Sequence, residues 1–156
     1  MSKFLVIKDT REKEIGKGWS FNKSQYCDGT LVRKVETGDY SIEGYEDDFT
    51  IERKGCISEF AHNIIEGRFD KEVERMRDIE HSFVILEFNM SSIISFPVGS
   101  GIPKSQWKKL KIRGPFVLRR MCEIMTQNPN IKILPCGPKG KDVALSLFKR
   151  VIQNDV

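Results

Sequence analysis

No apolar run in this chain approaches the ~18 residues that a membrane-spanning helix needs, so the sequence predicts no transmembrane segment. The N-terminus runs from Met1-Ser2-Lys3 straight into a short strand-like stretch, which is not the pattern of a signal peptide. Histidine is scarce. His62 and His81 are the two in the sequence, and they lack metal-ligand spacing. Cys27, Cys56, Cys122 and Cys136 form no CxxC pair and have no histidine at zinc-finger spacing. Zinc modules, disulfide scaffolds and membrane proteins are thereby excluded. Cysteines beside apolar neighbours are expected as buried free thiols in a reducing, cytoplasmic setting. There is no internal repeat, low-complexity tract or linker, so residues 1–156 are expected as a single domain.

What is present suits a folded domain. Hydrophobic residues make up 39% of the chain and charged residues 31%, enough for a core and a well-solvated surface. Lys and Arg number 26 against 22 Asp and Glu, a net charge of +4. Distribution matters more than this total. Trp107 to Arg113 is basic, whereas Glu43 to Glu52 is acidic. That separation fits either a mixed solvated surface or metal-assisted chemistry on a nucleic acid.

Phe4-Leu5-Val6-Ile7 reads as a buried strand that ends at Lys8-Asp9-Thr10-Arg11-Glu12. Residues 13–30 read as a loop, and Leu31 to Val35 as a strand. Tyr40-Ser41-Ile42 and Phe49 to Lys54, joined by a Glu- and Asp-rich turn, read as a hairpin. Ile57, Phe60, Ala61, Ile64 and Ile65 recur on one helix face, with Ser58 as the expected cap. Gly67 re-aims the chain into a second helix with Phe69, Val73 and Met76 inward and Arg68, Glu72 and Arg75 on the other side. Ser82 to Phe88 reads as a central strand, Lys104 to Leu110 as a basic helix, and Pro115 as the first turn of a further helix. Ile131 to Leu134 gives a last strand, and Val143, Leu147, Phe148 and Val151 line a final helix. This order predicts an α/β domain, a mixed sheet flanked by helices.

The chemistry concentrates at Gly38-Asp39 and Glu52-Arg53-Lys54. Strand alternation puts Glu52 and Lys54 on one face and Arg53 on the other. If the hairpin brings Asp39 alongside, two carboxylates meet an ammonium. Carboxylate oxygens suit Mg²⁺, which takes one or two of them and keeps several waters. The same spacing also arises as a plain surface ion pair.

Asp9-Thr10-Arg11-Glu12 after a strand, Gly38-Asp39-Tyr40, Glu52-Arg53-Lys54, Glu59-Phe60 and Gly67-Arg68 together resemble the nuclease domain of the XPF-type structure-specific endonucleases. That family lies within the restriction-endonuclease-like nucleases. The resemblance runs in order from Phe4 to about Phe88. The compact form, with Ile102-Pro103-Lys104-Ser105-Gln106-Trp107, is similar to stand-alone phage-type members. It implies a restriction-endonuclease-like sheet and a divalent-metal phosphodiesterase using Mg²⁺ or Mn²⁺ on branched or flapped DNA. Asp39 and Glu52 would be metal ligands, with Glu12 and Glu59 completing the acidic surroundings. Lys54 would be the catalytic lysine and Arg11 would contact phosphate. Strand alternation points Arg53 away from Glu52 and Lys54, to brace Asp9 or Glu12 or help hold the fold, with a catalytic role as the other reading. The resemblance also implies a homodimer.

The family signature places an Asp three residues beyond Glu-Arg-Lys. Here Ser58 stands at that position and Glu59 follows it. Tandem helix-hairpin-helix modules, which larger relatives carry, are not expected within these 156 residues. Lys104, Lys108 and Lys111 fall at helical spacing and are candidates for DNA-backbone contact. Arg68 and Arg75 form a second such pair. Two other readings remain: a non-catalytic DNA-binding or scaffold module, and a Holliday-junction-resolving nuclease.

Overall fold

The apolar stretches become strands of one mixed sheet in a computed structural model that describes residues 2–14 and 18–154. The strands are β1 (Phe4–Lys8), β2 (Cys27–Val32), β3 (Tyr40–Ile42), β4 (Phe49–Lys54), β5 (His81–Leu86) and β6 (Ile131–Pro135). The helices are α1 (Thr10–Glu14), α2 (Ile57–Ile65), α3 (Arg68–Met76), α4 (Met90–Ile94), α5 (Gly114–Gln127) and α6 (Gly140–Asn154). Spatial order is β2-β1-β3-β4-β5-β6. β1 pairs parallel with β2 and antiparallel with β3, and β3 pairs antiparallel with β4. β4, β5 and β6 are mutually parallel. Only β3 therefore runs against the rest.

Alternation along β5 sends Val84 and Leu86 to one face and Phe83 and Ile85 to the other. The first face is covered by α2, α3 and α5 through Phe60, Phe69, Val73, Val117, Met121 and Ile124. The Phe60 and Phe69 rings meet edge-on at 5.1 Å, and burying such a side chain contributes ~1.5–3 kcal/mol. The second face is covered by α6 through Ala144 and Phe148, with Trp19 and Phe21 beside them. Phe49 and Ile51 of β4 pack on this second face.

Gly67 turns α2 into α3. Its φ of 74° is a left-handed conformation that glycine adopts without a steric penalty, so the chain turns between two helices that share one core.

Several expectations change. The strand expected over Leu31 to Val35 is β2, which starts at Cys27 and ends at Val32. It lies at the sheet edge with Leu31 and Val32 exposed, so it lacks the apolar pattern by which strands are read. Part of the expected loop is thus strand, and part is α1. Residues 15–17 of that loop lie outside the described residues, as do Met1, Asp155 and Val156 of the expected domain. Ser58 does not cap α2. The cap position is Cys56, without a side-chain bond. The strand expected to reach Phe88 ends at Leu86.

The basic segment is a 3₁₀ helix over Lys104–Lys109. With three residues per turn, Lys104 lies over Trp107, at 5.8 Å from its ring. Lys108 and Lys111 do not share an α-helical face with Lys104, and Lys111 lies beyond the segment. Of the four cysteines, all free, Cys27 is buried and Cys136 half-buried. Cys56 and Cys122 are exposed, because apolar chain neighbours on a helix say little about the outward face. Among the described residues, no helix is long and apolar enough to cross a membrane.

Candidate active site

β1 and β4 end, and β3 begins, at the same edge of the sheet. Asp39 enters there because of Gly38. With φ at 80°, Gly38 lies so close to β4 that an added Cβ would stand 2.0 Å from Thr50 Oγ1. The Thr50 hydroxyl donates to the Thr37 carbonyl at 2.8 Å, and the Asp39 N–H donates to the Ile51 carbonyl at 2.8 Å. Asp39 Oδ2 then accepts the Arg53 N–H at 2.8 Å. The dipeptide Gly38-Asp39 thus sets a carboxylate against the end of β4.

Asp9 organises the neighbouring corner. Its carboxylate is fully buried and accepts the Val35 N–H at 2.8 Å and Arg11 Nε at 2.7 Å. Burial alone would raise its pKa, but these bonds win and hold it below the ordinary value. Arg11 is anchored at one nitrogen while its side chain stays 62% exposed, leaving donors free for an anion.

Alternation at the end of β4 separates two charge clusters. On the α6 face, Arg53 Nε donates to Glu12 Oε2 at 2.9 Å, and its Nη1 donates to Glu87 Oε1. The same Glu12 oxygen accepts the Tyr40 hydroxyl at 2.7 Å. Trp19 stacks on Tyr40, lies under the Arg53 guanidinium and donates from Nε1 to Glu87. Burial would lower the Arg53 pKa, yet the bonds to Glu12 and Glu87 raise it, so Arg53 is a fixed cation. It braces Glu12, as the sequence allowed, but not Asp9.

On the other face stand Glu52 and Lys54. Lys54 Nζ lies 3.5 Å from Glu52 Oε1 and 2.9 Å from Glu72 Oε2. Burial would lower the Lys54 pKa, but Glu52 and Glu72 raise it, so the amine stays protonated. Burial pushes the Asp39 carboxyl up to about 6, with the Glu12 charge adding to it. Burial, then Asp39 and Glu72, push Glu52 well above the usual carboxylate range. The charge of Asp39 thus disfavours ionisation of Glu52, as expected of two buried carboxyls in one site.

Such a pair fits a divalent cation, whose charge would offset the repulsion between the carboxylates. Among the described residues, no group of three or more His, Cys, Asp or Glu is arranged around a metal position. Two carboxylates are within the number that Mg²⁺ takes from a protein.

A stability difference follows. A carboxyl with a raised folded pKa makes the folded state bind more protons than the unfolded chain, so stability falls as pH rises between the two values. For Asp39 that window runs from 3.8 to about 6. In chelator, Asp39→Asn is expected to melt about 3 °C above wild type at pH 7.5, the shift from ~1 kcal/mol in a chain of this size. The gap should close near pH 4. Equal melting temperatures at pH 7.5 would contradict the strained pair.

These groups line an open cleft of about 840 Å³. Of the sequence candidates, Arg11, Glu12, Asp39, Glu52, Arg53 and Lys54 line it, and so do Glu59, Arg68 and Arg75. Glu59 is exposed at the rim. The carboxylate that reaches Lys54 is Glu72, which sequence reasoning placed only on the polar side of α3. Lys104, Lys108 and Lys111 lie outside the cleft lining.

The ERCC4 domain family matches residues 8–139. Among solved structures, the chain is similar to XPF from Aeropyrum pernix, with a TM-score of 0.65 at 19% identity over 94% of this chain and 60% of that one. A second structure, XPF from Aeropyrum pernix in complex with DNA, gives a TM-score of 0.67 at 21% identity over 98% of this chain and 66% of that one. This chain therefore spans less than two thirds of the length of either. No curated protein matches it significantly. On the match over residues 8–139, the chain belongs to the ERCC4 domain family, within the restriction-endonuclease-like superfamily.

Proposed function

We propose that residues 1–156 act as one nuclease domain that hydrolyses DNA phosphodiester bonds with a divalent cation, on branched, flapped or single-strand-containing DNA. The observation that carries this reading is the meeting of Asp39, Glu52 and Lys54 in one open cleft. ERCC4 nucleases are generally divalent-metal dependent, and the Aeropyrum pernix XPF structure in complex with DNA supports the choice of ligand.

Asp39 and Glu52 are the residues that would hold Mg²⁺ or Mn²⁺. Such an ion supplies Lewis acidity toward a phosphoryl oxygen and lowers the pKa of water. Lys54 remains protonated, so its role is to orient the attacking water and to donate to charge that develops on the phosphate. Arg11 presents a guanidinium fork suited to two phosphate oxygens. Arg68 and Arg75, exposed on α3 at the cleft wall, contact the backbone on either side. Glu12 and Glu87 act through Arg53, tying α1 and the residue after β5 to the end of β4 at the site. A homodimer, implied by the family resemblance, belongs to this proposal, as does action inside the cell, where DNA is.

The test is strand scission on flap, fork, duplex, single-stranded and four-way-junction DNA, with Mg²⁺, Mn²⁺ or chelator. Metal-dependent cuts near single-strand/duplex boundaries are expected. Binding without cleavage in any metal would leave a DNA-binding module instead, and paired symmetric nicks confined to the four-way junction would assign a junction resolvase.

A further inference from the structure

The helix α3 carries a second stripe besides its apolar one. Arg68, Glu72 and Arg75, at i, i+4 and i+7, share the face that lines the cleft, while Phe69, Val73 and Met76 are buried behind it. In the middle of this stripe, Glu72 reaches across to the end of β4. Both of its oxygens lie against Lys54, at 2.9 Å for Oε2 and 3.1 Å for Oε1. The Glu72 side chain is 16% exposed. Lys54 is still farther from water, at 9% exposure, and it sits over the Phe69 ring at 5.5 Å. Its ammonium is thus nearer to Glu72 than to Glu52.

We propose that Glu72 is the positioning residue for Lys54: it holds the ammonium on α3 and so keeps Glu52 free for the cation. This deepens the reading of the cleft as a cation-dependent site and rests on it. The argument is one of competition. A lysine two residues from Glu52 on the same strand face has Glu52 as its nearest alternative anion. If Lys54 closed fully onto Glu52, it would occupy the oxygens that a divalent cation needs. A bidentate partner on another element draws the ammonium away by direct contact. It also fixes its height above the cleft, because the ring of Phe69, one turn earlier on α3, lies under the same ammonium. Glu72 thereby couples the placement of α3, with Arg68 and Arg75, to the reacting centre. The charged groups facing Lys54 are Glu52 and Asp39 from the sheet and Glu72 from α3.

Glu72 Oε2 is buried and lacks a well-directed hydrogen bond despite its contact with the ammonium. That leaves a ligand role for Glu72 as the rival assignment, and the experiment separates the two. Mn²⁺ affinity is measured by calorimetry on the whole chain, without DNA, for wild type, Glu72→Gln, Lys54→Met and the double variant. Glu72→Gln is expected to bind Mn²⁺ about tenfold more weakly, the lower end of the effect of losing a group that orients a ligand. Lys54→Met should restore most of that loss in the Glu72→Gln background while changing wild type far less, so the cycle is non-additive. Glu72→Asp, which keeps the charge on a shorter arm, should fall between wild type and Glu72→Gln.

Unchanged affinity in a folded Glu72→Gln overturns the proposal. A loss that Lys54→Met does not relieve makes Glu72 a ligand, again against the proposal. No Mn²⁺ binding by wild type removes both this inference and the cation-dependent reading beneath it.

Discussion

Lys54→Ala is expected to lower the single-turnover cleavage rate roughly a thousandfold, within the range for losing a group that moves a proton or stabilises developing charge. The residue stands alone in its chemistry. It is the cation placed on the same face of β4 as Glu52, and its pKa is raised rather than lowered. It therefore serves as a donor, and no other side chain takes its place when it is removed. Asp39→Ala should give a loss of the same order by removing half of the carboxylate pair. Both variants are expected to keep the native circular dichroism spectrum, since the sheet and both cores remain intact. Full activity in either variant would remove the assignment of these residues to the reaction.

Arg53→Met is expected to act on stability instead. Arg53 and Glu12 are nearly withdrawn from water, with side chains 8% and 5% exposed, and Glu87 completes the network. Removing the guanidinium leaves two carboxylates facing each other without a cation. Breaking a buried pair in this way costs about 3–5 kcal/mol. Urea unfolding measures it as a lower midpoint with an unchanged slope. Arg53→Lys should recover only part of the loss, because an ammonium cannot reproduce the fork that spans Glu12 and Glu87. A loss below ~1 kcal/mol in Arg53→Met, the level of an exposed pair, would show that the network is ordinary surface pairing.

The sequence revealed most where local pattern and burial agree. Phe4 to Ile7, the hairpin of β3 and β4, and the helical stripes of α2, α3, α5 and α6 were legible because each buries a face at its own period. β2 was legible only at Leu31 and Val32, because Cys27-Asp28-Gly29-Thr30 has no alternation and gains its order from pairing with β1 at an edge. The 3₁₀ helix at Lys104–Lys109 defeated a helical-face argument that assumed 3.6 residues per turn.

At the site, the proximity of Glu52 and Lys54 followed from alternation along one strand. The meeting of Asp39 with Glu52 followed from the hairpin, given Gly38. The opposite placement of Arg53 was legible for the same reason, and its partner Glu12 was among those expected. Glu72 was hidden. On α3 it reads as an ordinary solvated position, and only the docking of that helix against β4 brings it to Lys54. Trp19 was hidden in the same way, within a segment without regular pattern.

Anomalous scattering from crystals of the domain soaked in Mn²⁺ tests the central claim most directly. The account predicts a peak bridging the carboxylates of Asp39 and Glu52, at roughly the 2.0–2.2 Å of small divalent cations to oxygen, with Lys54 still on Glu72. Manganese bound elsewhere, in crystals whose dissolved protein cuts DNA and whose Asp39 and Glu52 stay bare, would contradict it.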